Sequence, residues 1–217
     1  MVHEDVMTSR DDENDPQATS GGGPAGPERL FEALRDEDWG RGLPPVQDWH
    51  PAREGEIDIR IARDGSWTYQ GSPIGRQRMV RLFSTILRRD ADDRFYLVTP
   101  AEKLAIEVED APFVAVEMAV ERDGAGAQSL VFRTNVNEVV AAGPEHPIRV
   151  ETDPATGEPS PYIRVRDRLD ALIARSVFYE LVDLAETASL PEGERLVVHS
   201  GGSRFVLGAV LDESGED

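Results

Sequence analysis

Residues 57–62 alternate strictly, with Ile57, Ile59 and Ile61 against Asp58, Arg60 and Ala62. Successive strand side chains point to opposite faces, so this pattern is a strand with one buried face. The Asp64-Gly65 pair follows, then Trp67 and Tyr69. Together they predict a hairpin closed by a tight turn. Gly71-Ser-Pro73 ends the strand, because proline cannot donate to a ladder. The period then changes. Met79, Val80, Phe83, Ile86 and Leu87 fall at i, i+1, i+4, i+7 and i+8, the apolar face of a helix over about Gly75–Arg89.

Strand patterning returns over Arg94–Thr99, then over Lys103–Glu109 with Leu104, Ile106 and Val108 inward, then over Phe113–Glu121. Ser129–Thr134 and Ile148–Thr152 read as further strands. A second amphipathic helix is predicted over Asp167–Ala185 from Leu169, Leu172, Ile173, Leu181 and Leu184. A hairpin closes the chain, Arg195–His199 and Ser203–Val210 around Ser200-Gly-Gly202. Upstream of all these, a short helix over Glu28–Asp36 leads into an irregular strap, Gly40–Pro51, whose Trp49 is expected to pack on the core.

Hairpin, proline break, helix and strands thus occur twice in the same order. Gly71-Ser-Pro-Ile-Gly-Arg76 before the first long helix is echoed by Pro159-Ser-Pro-Tyr-Ile-Arg164 before the second. The pattern predicts an α+β fold of two structurally related halves with mostly antiparallel sheets, over residues 28–110 and 111–211. The alternative is a single antiparallel sheet with two helices that look alike. Residues 1–27 mix Asp, Glu, Gly and Pro with few apolar side chains, the composition of a disordered tail, and 212–217 form a second acidic tail.

Composition narrows the function. The chain has no cysteine, which removes disulfides, thiol nucleophiles and Cys-bound zinc. Its apolar runs are too short to span a bilayer. Met1–Asp15 is acidic and lacks an apolar stretch behind a basic head, so it is not a secretory signal, and a cytoplasmic location is expected. A net charge of −19 opposes binding to nucleic acid or to an anionic membrane.

Several stretches in combination resemble a known family: Asp64-Gly-Ser-Trp67, Gly71-Ser-Pro-Ile-Gly-Arg76, Leu97-Val-Thr-Pro-Ala-Glu-Lys103, Val108-Glu-Asp-Ala-Pro-Phe113, Phe132-Arg-Thr-Asn135 and Pro161-Tyr-Ile-Arg-Val-Arg166. The family is bacterial and catalogued as domain of unknown function 1285, and the likeness runs from about Leu43 to Val210. The resemblance implies an internally duplicated α+β fold whose second half is loosely pleckstrin-homology-like. It also implies a small-ligand site between the halves and a role in signal transduction. The family has no established activity, so no catalytic residue carries over.

Candidate chemistry is sparse. His3, His50, His146 and His199 lack the i, i+3 or i, i+4 spacing that puts metal ligands on one helix face, so no metal site is expected. Ser200 beside His199 sits in a glycine turn rather than a nucleophile elbow. Gly124-Ala-Gly126 and Gly21–Gly23 open no helix and precede no lysine, so neither is a phosphate loop. Glu107 and Glu109 form the polar side of a strand. No catalytic residue and no cofactor is assigned.

The arginines carry more. Arg76, Arg78 and Arg81 crowd the start of the first long helix, and Arg164, Arg166 and Arg168 the expected start of the second. Cations oppose the dipole at a helix N-terminus, so an anion held there by amides and guanidinium groups is one explanation. The other is pairing with nearby carboxylates, with Arg164 and Arg166 on the polar side of a short strand. Thr99-Pro-Ala-Glu-Lys103 is a turn presenting a hydroxyl, a carboxylate and the only lysine. The candidate ligand residues are therefore Arg76, Arg78, Thr99, Lys103, Tyr162, Arg164 and Arg166. The leading expectation is a non-enzymatic module binding a small polar or anionic organic ligand between its halves and signalling through a protein partner. A ligand-free adaptor and an enzyme of unrecognised type are the alternatives.

Overall fold

The computed structural model describes residues 26–34 and 42–210. Both acidic tails (but for Gly26 and Pro27), the end of the first helix, the start of the strap, His3 and Gly21–Gly23 lie outside the described residues.

Helix α1 (Pro27–Leu34) is followed by a 3-10 turn at Val46–Asp48 within the strap. The first half then supplies β1 (Arg53–Ile61), β2 (Trp67–Tyr69), β3 (Ser72–Pro73), α2 (Gln77–Thr85), β4 (Leu87–Arg89), β5 (Phe95–Val98) and β6 (Glu102–Val108). The second half supplies β7 (Phe113–Arg122), β8 (Gln128–Thr134), β9 (Val139–Ala141), β10 (Ile148–Thr152), β11 (Pro159–Arg166) and β12 (Leu169–Ile173). Helix α3 (Arg175–Asp183) leads to a small antiparallel sheet of β13 (Glu186–Leu190), β14 (Gly193–Ser200) and β15 (Ser203–Ala209).

The fold is α+β and its halves are related. The first sheet runs β3-β2-β1-β6-β5-β4 and the second β9-β8-β7-β12-β11-β10, so first to sixth strands take the same places. In each, the first and sixth strands pair in parallel at the centre, and every other pairing is antiparallel. The helices do not follow this repeat. α2 lies between the third and fourth strands of its half, whereas α3 follows the sixth.

The helix expected over Asp167–Ala185 needs correction. Asp167 takes a positive φ of 43° in a turn, Leu169–Ile173 is strand β12, and the helix begins only at Arg175. Leu-Asp-Ala-Leu-Ile suits a helix by local propensity. Pairing with β11 on one side and β7 on the other overrides it, since each partner offers a full ladder. Arg164, Arg166 and Arg168 therefore do not stand at a helix N-terminus. Ile163 and Val165 are buried, and Arg164 lies opposite Asp170, but a bulge sets Arg166 opposite the buried Leu169, so the two β11 arginines do not share one polar side. The Pro159–Arg164 echo falls in the fifth strand of its half, while Gly71–Arg76 covers the third strand and the entry to α2. The first long helix is also shorter than expected, because Leu87–Arg89 leaves it to pair with β5.

One apolar core runs through both halves, joining Ile59, Ile61, Trp67 and Phe83 to Phe113, Phe132, Ile163 and Leu169. Phe83 is fully buried, as its place on the helical stripe requires, but Leu172 is only half-buried because it faces the other side of the sheet. The strap lies over the first sheet, and Trp49 packs on Tyr96, Val98 and Ala105. Arg88 latches it, its Nη1 donating to the carbonyls of Val46 and Trp49, each at 2.8 Å.

Candidate functional site

The linker from β6 to β7 passes along the seam between the halves. A polar cleft of about 210 Å³ opens there, bounded by Arg89 and Phe95 of the first half, Asp110 of the linker, and Arg149, Tyr162 and Asp170 of the second. Strand register sets the second-half side. Arg149 on β10 lies opposite Tyr162 on β11, and Arg164 opposite Asp170 on β12. Cross-strand neighbours approach closely enough to interact side by side. The Arg149 guanidinium lies 4.3 Å from the Tyr162 ring centre and donates to Asp170 Oδ2 at 3.0 Å. Arg164 Nε donates to the other Asp170 oxygen, and Tyr162 donates its hydroxyl proton to Asp110 Oδ1 at 2.7 Å. Burial, with the Asp110 hydrogen bond second, pushes the Tyr162 phenol up to about 12. At neutral pH it is a fixed donor.

Two groups here are unfinished. Among the described residues three buried side-chain atoms lack a hydrogen-bond partner, and two of them, Arg89 Nε and Asp110 Oδ2, belong to this cleft. Neither residue is isolated: Arg89 has Asp93 at 3.4 Å and the Phe95 ring at 5.3 Å, and Arg63 Nε is 3.4 Å from Asp110 Oδ2. An unmet buried polar group nevertheless costs about 1–3 kcal/mol.

The residues singled out in the sequence disperse. Thr99 closes its own turn, its Oγ1 accepting from the amides of Ala101 and Glu102 at 3.3 and 3.0 Å. Lys103 pairs with Glu54 at 2.7 Å and Asp90 at 3.5 Å over the Tyr96 ring. Its ammonium pKa is raised, chiefly by the Glu54 hydrogen bond. Arg164 is bound to Asp170. Arg166 pairs with Glu138 and donates to the carbonyl of Ser84, near the end of α2. Arg168 crosses the seam to Asp90 and Asp93. Arg76 and Arg78 are exposed at the other end of α2, about 10 Å away along its axis at the helical rise per residue. Arg76 lines a separate hollow against Pro27, Ser72 and Met79. Of the seven, only Tyr162 lines the cleft, with Arg164 directly behind it.

Arg89, Asp110, Arg149 and Asp170 were missed. Their one signal was the Asp-Ala-Pro linker within a stretch of family likeness. Ser200 has a structural task, accepting from the Leu130 amide at 2.8 Å and donating to the Ala142 carbonyl at 2.7 Å. No cluster of three or more potential metal ligands occurs among the described residues. No described helix is long and apolar enough to cross a membrane.

Comparison with known proteins agrees with this architecture. Residues 44–111 match the N-terminal domain of unknown function DUF1285, and residues 112–207 the C-terminal domain of the protein of unknown function DUF1285. The chain is similar to a crystal structure of a DUF1285 family protein from Silicibacter pomeroyi DSS-3, at 50% identity over 85% of this chain and 96% of that one, with a TM-score of 0.75. It also matches a DUF1285 family protein from Shewanella baltica OS155, at 26% identity over 58% of this chain and 91% of that one, with a TM-score of 0.46. A search of curated proteins gives no match. The chain belongs to the DUF1285 family.

Proposed function

We propose that this protein is a non-enzymatic binding module that takes a small polar organic ligand in the cleft between its halves, 28–110 and 111–211, and acts in signal transduction through a protein partner. The observation that carries the reading is the pair of unmet buried groups, Arg89 Nε and Asp110 Oδ2, in one cleft formed by both halves. A ligand with an anionic group for Arg89 and a donor for Asp110 completes both. At about 210 Å³ the cleft is below the usual range of drug-sized sites, about 300–1,000 Å³, so the ligand has the size of an amino acid or a small hydroxy acid. Occupancy would change the contacts of Arg63 and Arg168, which cross the seam, and so supply a signal. The net charge of −19 opposes a nucleic-acid or anionic-membrane partner.

Thermal melting of the full chain with amino acids, hydroxy acids and inorganic phosphate tests the reading. A ligand at a hundred times its dissociation constant stabilises by about 2.7 kcal/mol. For a chain of this size that is a rise of about 5–10 °C. Arg89→Met should abolish the rise. No rise with any of these compounds, or an equal rise in the variant, would overturn the proposal.

A further inference from the structure

A second, less polar cavity of about 450 Å³ lies across β11, β12 and the start of α3. Pro159, Pro161, Leu172, Ile173 and Phe178 line it, and Arg63 and Arg175 stand among its lining with Glu158. Leu172 is the informative residue. It is central in the sheet, in register with Tyr162 on one side and Val114 on the other, and both of those are buried. Leu172 is half-buried. A mid-sheet leucine left partly open marks a face without its cover.

The first half shows what that cover looks like. In its sheet, Arg88 of the fourth strand lies opposite Tyr96 of the fifth, and Tyr96 opposite Ala105 of the sixth. The equivalent row in the second half is Arg149, Tyr162 and Leu172. Over the first row lies the strap, which brings the Trp49 ring to Tyr96 and Ala105 and two carbonyl oxygens to Arg88. Beneath it the Arg88 side chain is 9% exposed. Among the described residues no strap covers the second row. The Arg149 side chain is 40% exposed, and the space over Leu172 is the cavity.

We infer that this cavity is a second ligand site, distinct from the polar cleft, and that it takes an arylalkyl carboxylate. The aromatic body covers Leu172 and Phe178, as Trp49 covers Ala105. The carboxylate meets Arg63 and Arg175. Both guanidinium groups keep free N–H donors: Arg63 donates to Ser160 Oγ at 2.9 Å and lies 3.4 Å from Asp110 Oδ2, and Arg175 donates to the Tyr179 hydroxyl at 2.8 Å. A guanidinium carries five N–H donors in a fork that suits a carboxylate. Glu158 shares the lining, so the two arginines leave the hollow with one net positive charge, which selects an anionic head over a cationic one.

Calorimetric titration of the full chain tests this with 4-phenylbutyrate, its neutral analogue 4-phenylbutanol, and acetate. 4-Phenylbutyrate should bind one to one, 4-phenylbutanol about tenfold or more weaker, and acetate not measurably, since charge and ring are both used. Arg175→Gln combined with Arg63→Gln should remove the preference for the acid over the alcohol. Phe178→Asp, on the half-open face of α3, should abolish binding while melting stays cooperative. No heat from 4-phenylbutyrate at millimolar concentration, equal affinity for acid and alcohol in the wild type, or unchanged binding in Phe178→Asp overturns the proposal. Amino acids and phosphate probe the polar cleft instead, so either site can fail without the other.

Discussion

Replacing Arg166 by methionine separates two accounts of the arginines on β11. The Arg166 side chain is 13% exposed and that of its partner Glu138 is 21% exposed. The guanidinium also donates to the Ser84 carbonyl and lies 5.1 Å from the ring centre of Phe113. Methionine keeps most of the apolar stem against that ring. It leaves Glu138 charged and unpaired in a poorly hydrated place, and leaves the Ser84 carbonyl with only its backbone donor. Removing one member of a buried pair costs about 3–5 kcal/mol. Burial here is incomplete, so the lower end, about 3 kcal/mol, is expected. For a chain of this size the melting temperature should fall by about 6–12 °C.

Urea unfolding followed by fluorescence reads this directly, since Trp67 reports on the shared core. Adding Glu138→Gln to Arg166→Met should recover most of the loss, because a neutral amide needs no counter-charge. A loss below about 1 kcal/mol, or no recovery in the double variant, would refute the reasoning. A gain in stability would mean that Arg166 belongs to an uncompensated positive cluster waiting for an anion.

Two further outcomes follow from the same geometry. Gly65 has φ of 80°, and a Cβ there would meet Asn135 Nδ2 at 2.5 Å and Val114 Cγ2 at 2.9 Å, so Gly65→Ala should cost more than about 1 kcal/mol in urea unfolding; wild-type stability would show that the hairpin turn does not press on the second half. The Tyr162 phenol is raised to about 12 in the folded chain, so the stability it lends is fully present below its ordinary value of about 10 and is lost as pH rises from there through 12. A phenolate absorbance titration should show one late-titrating component that Tyr162→Phe removes, and a profile unchanged by that substitution would contradict the burial argument.

What was legible in the sequence was local. The alternation at Ile57, Ile59 and Ile61 needs only the strand period, and Phe83 needs only the helical stripe. Leu172 failed because its neighbours fit a helical stripe equally well, and the choice was made by strands 58 residues and 10 residues away, at Val114 and Tyr162. The cleft was less legible still. Tyr162 and Asp110 are 52 residues apart and Arg149 and Asp170 are 21 apart, and nothing in either segment names its partner. Arginines at 164, 166 and 168 read as the start of a helix because the turn at Asp167 was invisible. On the strand a bulge separates the first two, so that Arg164 lies opposite Asp170 and Arg166 opposite Leu169.

The duplication sets the arginine–tyrosine row of the second half, which borders the proposed cleft, against its counterpart in the first. Each half carries an arginine beside a tyrosine on its fourth and fifth strands, and in each the tyrosine donates to an aspartate, Asp92 at 2.6 Å or Asp110 at 2.7 Å. In the first half the cover is the chain itself, so Arg88 finds two neutral carbonyls as well as Asp90. Those acceptors are part of the fold and cannot be exchanged without lifting the strap. In the second half the chain turns instead into α3, and among the described residues Arg149 donates to side-chain carboxylates, Glu151 and Asp170, beside the Tyr162 ring. Side chains can change rotamer and release an arginine to an incoming acceptor, whereas a strap carbonyl cannot. The same surface is thus closed where the chain covers it and held by side chains where it does not, and under the proposed function Arg149, beside Arg89 and Asp110, is the arginine able to exchange its partner.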